Sequence, residues 1–281
     1  MSDDLLGTHS IEKPAFLRQL AMDSFAALPA GHAMTAFLEL DVTEPLAAIE
    51  RLRSDGVRIS LFAHIARSVG RALGEHPDLN VLRHGRARIA RFEDVDVSVP
   101  VEMDTGAGRF PLMLVIRRAQ TKTAAQIYAE IAAAKERHAN EGALGAEDRW
   151  ARRTMKIAQW LPRFVRVFFI RRMIADAKTV KRRTGTTLVT SVGKFARIPG
   201  FVTPLVSGPR AATFAIGSVV EKPVVRDGAI VPRSILALTV VIDHDLVDGA
   251  PAARFGARLQ ELVEGTDELD GPASSQDVEA G

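Results

Sequence analysis

The sequence predicts a mixed α/β fold in which a large mixed sheet is covered by helices. Three observations point there. Strand-like runs and helical periodicities interleave along the chain, they lack a regular βαβ rhythm, and no Gly/Ser- or Pro-rich linker or internal repeat divides the 281 residues. A chain of this length can bury a sizeable core as one large domain or two small ones.

The elements follow in order. Met34 to Asp41 alternates as a strand and leads into a helix from about Glu44 to Ser54. Ser60 caps the next helix, where Leu61, Ile65, Val69 and Leu73 recur every four residues until Gly74 and Pro77 stop it. Val95 to Val101 and Leu112 to Ile116 read as strands, and Thr123 to His138 as a helix built on Ile127 and Ile131. Thr186 to Thr190, Thr213 to Val220 and Ile235 to Ile242 are β-rich. Val224-Val225 and Ala229 to Val231 flank Arg226-Asp227-Gly228, a hairpin turn. Pro251 opens a last helix that turns Phe255, Leu259 and Leu262 inward and ends at Gly265.

Residues 1–25 are expected to form a flexible arm, 26–265 the folded domain, and 266–281 an acidic flexible tail. The segment from Asp148 to Arg183 stands apart as a basic helical insertion. It carries Trp150, Trp160, Phe164, Phe168 and Phe169 among arginines, and its apolar residues spread round the helix instead of forming one stripe. It reads either as a helix packed on its own domain or a sister subunit, or as a device that docks a protein partner or an anionic membrane surface.

Composition excludes several function classes. Apolar residues at 47% and charged residues at 25% are those of a soluble globular enzyme. A net charge of +3 makes no global case for nucleic acid. The absence of cysteine removes disulfides, thiolate zinc sites and thiol nucleophiles. Asp3, Asp4 and Glu12 interrupt the N-terminus, so it does not read as a secretory signal, and no apolar run spans a bilayer; the expected compartment is the cytoplasm. No spacing suggests a metal site, and no glycine loop suits a phosphate or dinucleotide.

The sharpest chemical feature is Asp243-His244-Asp245-Leu246-Val247-Asp248-Gly249, which follows a strand and precedes a helix. A histidine at the end of a buried strand is held rigidly while its ring reaches a cleft, which suits a general base. Asp248 can tie down the turn, and Gly249 permits a sharp exit into the helix. Among the remaining histidines, His64 and His76 flank the amphipathic helix and His32, His84 and His138 lie near predicted element ends; surface or capping roles are expected for these five.

The bare His-x-x-x-Asp-Gly pattern is weak, but its surroundings are specific. Ala250-Pro251-Ala252-Ala253-Arg254-Phe255 follows it. Ala215-Ile216-Gly217, Glu221 to Val225 and Asp227-Gly228 precede it, Gly185 to Gly193 lies further upstream, and the early helix ends Glu75-His76-Pro77-Asp78-Leu79-Asn80. In order and spacing these resemble the catalytic domain of 2-oxoacid dehydrogenase acyltransferases over about residues 30–265, apart from the basic segment. The resemblance implies a chloramphenicol-acetyltransferase-like two-layer sandwich, assembled as a homotrimer. It also implies transfer of an acyl group between coenzyme A, as a substrate, and a dihydrolipoyl-like thiol or other small acceptor. His244 would be the base, and Asp248 would support its loop. Thr190, standing where the family has serine, would donate to the oxyanion, with Ser191 as the fallback.

Two departures accompany the match. Asp245 replaces the family arginine after the histidine, and a carboxylate facing His244 would raise its pKa. The chain also reads as free-standing, with no lipoyl attachment site. A second reading therefore stays open: a non-catalytic trimeric scaffold or partner-docking protein built on the same fold. The residues that contact coenzyme A are not assigned by any linear motif.

Overall fold

The computed structural model describes residues 9–29, 31–104, 109–141, 157–193, 199–204, 208–267 and 269. Its sheet is six-stranded and mixed. In chain order the strands and helices are α1 (Phe16–Ala27), β1 (Ala33–Asp41), α2 (Thr43–Ser54), α3 (Leu61–Glu75), β2 (Val81–His84), β3 (Arg88–Arg91), β4 (Val97–Asp104), β5 (Arg109–Ile116), α4 (Ala124–Glu141), α5 (Arg163–Ile174), α6 (Ala177–Thr184), β6 (Thr187–Ser191), β7 (Ala212–Arg226), β8 (Ala229–Asp243) and α7 (Gly249–Glu264). The main sheet runs β1-β8-β7-β6-β4-β5, while β2 and β3 pair separately.

Local chemistry explains the long central hairpin. Asp227 and Gly228 both have positive φ, the signature of a two-residue turn that matches strand twist, so Arg226 pairs with Ala229. The predicted short runs on either side merge into two 15-residue strands. Their alternate residues Phe214, Ile216, Leu236, Leu238, Val240 and Ile242 join one core with Ile65, Val69 and Leu73 of α3 and Phe255 and Leu259 of α7. Ser60 accepts a hydrogen bond from Ala63 N at 3.2 Å and caps α3 as expected.

Gly185 opens β6 with φ +66°, and a Cβ there would run into the Asp96 carbonyl oxygen. The parallel pairing of β6 with β4 and β7 starts from this close approach.

Two boundaries differ from expectation. The arm expected over 1–25 is helical from Phe16, because Asp23 is buried and pairs with Arg163 (3.1 Å) and Arg166 (2.7 Å) of α5. That contact spans 140 residues and leaves no local pattern. At the other end, Leu269 is buried against Ala48, Ile49, Ile59 and Ala124, so the core extends into the expected tail. Within the basic segment, residues 148–156 lie outside the described residues. The remainder is two helices, broken where Asp176 caps α6 by accepting from Thr179 N at 3.0 Å.

Candidate functional site

The central strand β8 ends at Asp243, and the chain turns at once. Leu246 N and Val247 N donate to Asp243 O at 3.0 and 3.1 Å, and Asp245 N donates to Asp243 Oδ1 at 3.0 Å. Val247 is buried and Leu246 packs on the core, so the turn is nailed down on both sides of its exposed tip. His244 sits at that tip. Its backbone N donates to His32 O at 2.6 Å, its side chain is exposed, and among the described residues its imidazole has no hydrogen-bond partner.

Arg83, on β2, holds the loop from beneath. Its Nε and NH2 reach both carboxylate oxygens of Asp243 at 2.8–3.0 Å, and NH2 also reaches Asp245 at 2.6 Å. Two parallel donors on one carboxylate fix orientation as well as distance. Asp245 accepts in addition from His32 Nδ1 at 2.9 Å. The His32 and Arg83 hydrogen bonds hold the Asp245 carboxyl below its ordinary range.

This geometry answers the question raised by Asp245. The carboxylate that replaces the family arginine is engaged by His32 and Arg83, and no bond links it to His244. The sequence signals neither partner. His32 carries only the pattern of a surface or capping histidine, and Arg83 lies 160 residues from Asp243 in a short strand without a motif.

The other histidines divide. His64 is fully buried and bonds Val263 O through Nε2 at 3.0 Å, which ties α3 to α7 and corrects the expected surface or capping role. His76 stacks edge-on against Phe255 with centroids 5.7 Å apart. Asp248 is exposed and stands at the N-terminal end of α7, where its carbonyl accepts from Ala252 N and its carboxylate makes no capping bond. Gly249 has no positive φ, and a Cβ there would meet nothing within 4 Å. The glycine is therefore not required by the turn itself, contrary to expectation.

Thr190 and Ser191 lie on β6 and face opposite sides of the sheet, since alternate residues do. Ser191 opens on a cavity of about 280 Å³ lined by Leu61, Phe62, Ile65, Gly193 and Gly217, on the side of α3. Thr190 pairs with Ala215, and Ala215 with Thr239, five residues before His244. Five residues of strand rise and two inter-strand spacings put Thr190 and His244 about 20 Å apart in one chain. The fold thus brings together His244, Asp245, His32 and Arg83, with Asp248 four residues along the chain from His244, and leaves Thr190 two strands across and five residues along the sheet.

The fold is thus a large mixed α/β sheet with a histidine on a braced loop at the end of one strand. Residues 25–152 and 175–269 match the sequence model of the 2-oxoacid dehydrogenases acyltransferase (catalytic domain) family. The chain belongs to this family. Residues 153–174, which include α5, fall outside the match.

Among similar proteins is the lipoamide acyltransferase component of the branched-chain alpha-keto acid dehydrogenase complex of Bacillus subtilis, 25% identical over 243 residues. That alignment covers 84% of this chain and 47% of the relative. A probable dihydrolipoyllysine-residue succinyltransferase component from Schizosaccharomyces pombe is 24% identical, over 82% of this chain and 44% of the relative. The chain therefore spans less than half the length of these curated relatives. Among solved structures, the dihydrolipoamide acetyltransferase of Azotobacter vinelandii shares the fold with a TM-score of 0.69 at 23% identity, covering 95% of this chain and 96% of that one. The cubic core of the pyruvate dehydrogenase multienzyme complex matches with a TM-score of 0.65 at 22% identity, covering 95% and 96%.

Proposed function

We propose that this chain is a coenzyme-A-dependent acyltransferase working on a dihydrolipoyl-type thiol or a chemically similar small acceptor, with His244 as its general base. The observation that carries the reading is the histidine loop: a solvent-facing imidazole at the end of a buried strand, on a turn braced by Arg83, inside the family match. The imidazole takes the proton from the incoming thiol as its sulfur attacks the thioester carbonyl. A hydroxyl donor then stabilises the oxyanion, and the leaving thiolate takes the proton back from the imidazolium.

Thr190 is the proposed hydroxyl donor. The strand register separates it from His244 by about 20 Å within one chain, which supports a site made by two copies. A cyclic trimer resolves this: at each heterologous joint His244 of one copy faces Thr190 of the next. Asp248 supports the entry to α7 and exchanges no proton. In the Azotobacter enzyme a serine, a histidine and an asparagine have been investigated for their role in the catalytic mechanism, the last two lying four residues apart. His244 and Asp248 have the same spacing.

The test is to incubate the protein with a panel of acyl-CoA thioesters, with and without dihydrolipoamide, and to follow free coenzyme A. Acceptor-dependent release with at least one thioester is expected. No release with any acyl group in the panel would contradict the reading.

A further inference from the structure

The inserted helix α5 presents an unusual surface: none of its residues is buried. Trp160 in the turn before it, and Phe164, Phe168 and Phe169 on it, are 60–84% exposed. Phe164, Phe168, Arg171 and Arg172 fall within one broad face, because residues four and seven or eight apart recur on the same side of a helix. The opposite face is fixed. The Arg166 side chain is 9% exposed and pairs with buried Asp23 of α1, and its guanidinium lies over the Phe16 ring at 6.0 Å. Arg171, at the exposed face itself, donates from Nη2 to Ala26 O of α1 at 3.1 Å.

The charge around this face is one-sided. Of the eight arginines and lysines between residues 163 and 183, Arg163 and Arg166 are paired with Asp23 and Lys181 with Asp96, while Arg171 and Arg172 of the α5 face have no acidic partner among the described residues; the single acid of the segment is Asp176. That acid is engaged in capping α6 and lies 3.6 Å from His84. Phe164 and Phe168 beside Arg171 and Arg172, on a helix held from behind, form one face whose rings suit the space between lipid headgroups and whose guanidinium groups suit the phosphates. No helix among the described residues is long and apolar enough to cross a membrane, so the helix would lie along the surface.

From this charge complementarity we infer that the α5 face docks on an anionic lipid bilayer, and that this is what the insertion adds to the family fold. The inference rests on the exposed face of α5 and is independent of His244 chemistry, so its test reads binding alone.

The experiment is co-sedimentation of the full chain with vesicles of phosphatidylcholine, with and without phosphatidylglycerol. The protein is expected to pellet with the anionic vesicles and remain in solution with the neutral ones, with binding falling as salt screens the arginines. Phe164→Ala/Phe168→Ala and, separately, Arg172→Glu should each weaken vesicle binding at least about tenfold, because each removes inserted or phosphate-facing groups. Circular dichroism should be unchanged, since these side chains are exposed. Three results would overturn the proposal. The wild type could ignore anionic vesicles, or the substituted proteins could bind them as well as the wild type does. Alternatively, light scattering could show that Phe164→Ala/Phe168→Ala lowers the oligomeric mass without affecting vesicle binding. That outcome would assign the face to a second copy of the chain.

Discussion

The histidine loop and the α1–α5 pair use the same device in different settings. Each hangs on a nearly buried carboxylate held by arginine from a distant part of the chain: Asp243 by Arg83, and Asp23 by Arg163 and Arg166. In the loop the anchor sits beneath a turn that buries Val247 and continues into the main core, and a single polar ring is presented. In the α1–α5 pair the anchor holds a helix with nothing buried, and what it presents is a set of aromatic rings. The loop lies within the family match and α5 outside it. Rigidity alone does not mark a catalytic element; what the rigid element presents does. An exposed imidazole suits proton transfer, and exposed phenylalanines suit contact with another surface.

The largest effect expected is at the tip of the loop. His244→Ala should lower acyl transfer by at least about a hundredfold, the usual scale of a lost general base, with an unchanged melting curve because the side chain is exposed. A variant that keeps wild-type turnover would remove the loop's special status.

The anchors come next. Asp23→Ala leaves the well-covered Arg166 without its carboxylate and should cost the α1–α5 pair about 3 kcal/mol. Hydrogen exchange should then speed up in Phe16–Ala27 and Arg163–Ile174 while the His244 loop stays protected. Equal loosening of both regions would mean that they form one cooperative unit.

A smaller effect is expected from Asp245→Asn, since Arg83 keeps its two bonds to Asp243. Turnover at neutral pH should fall by no more than about threefold, as for a half-exposed ion pair. The sign of its pH dependence is fixed. The Asp245 carboxyl is held below its ordinary value, so its contribution is whole above the ordinary carboxylate range and disappears as pH falls through the lowered pKa. Asp245→Asn should remove that acidic component of loop stability and leave the neutral-pH profile in place. A shift of the neutral limb would show that Asp245 acts on His244 directly.

Much of the fold is legible in the sequence because its signals are local. Asp227-Gly228 specifies its own turn, Ser60 its cap, and the four-residue recurrence from Leu61 its helix. The histidine loop is legible as a motif. Its supports are not, since Arg83 and His32 meet Asp243 and Asp245 across 160 and 213 residues. The β2–β3 hairpin escapes sequence reading because its short strands carry arginines without clean alternation. Helix α1 escapes it because its main partner is α5, whose apolar residues show no single face. Gly249 misleads in the other direction: a glycine in a motif suggests a conformational need that the backbone does not have.

We propose that His244 and Thr190, about 20 Å apart within one chain by strand geometry, act together across a joint between copies. Mixing tests it most directly. Homotrimers of His244→Ala and of Thr190→Val should each be nearly inactive, and co-expression of the two should restore part of the wild-type turnover, because some joints then pair an intact His244 with an intact Thr190. Mixed assemblies that stay as inactive as either parent, beside an active wild type, would contradict the account.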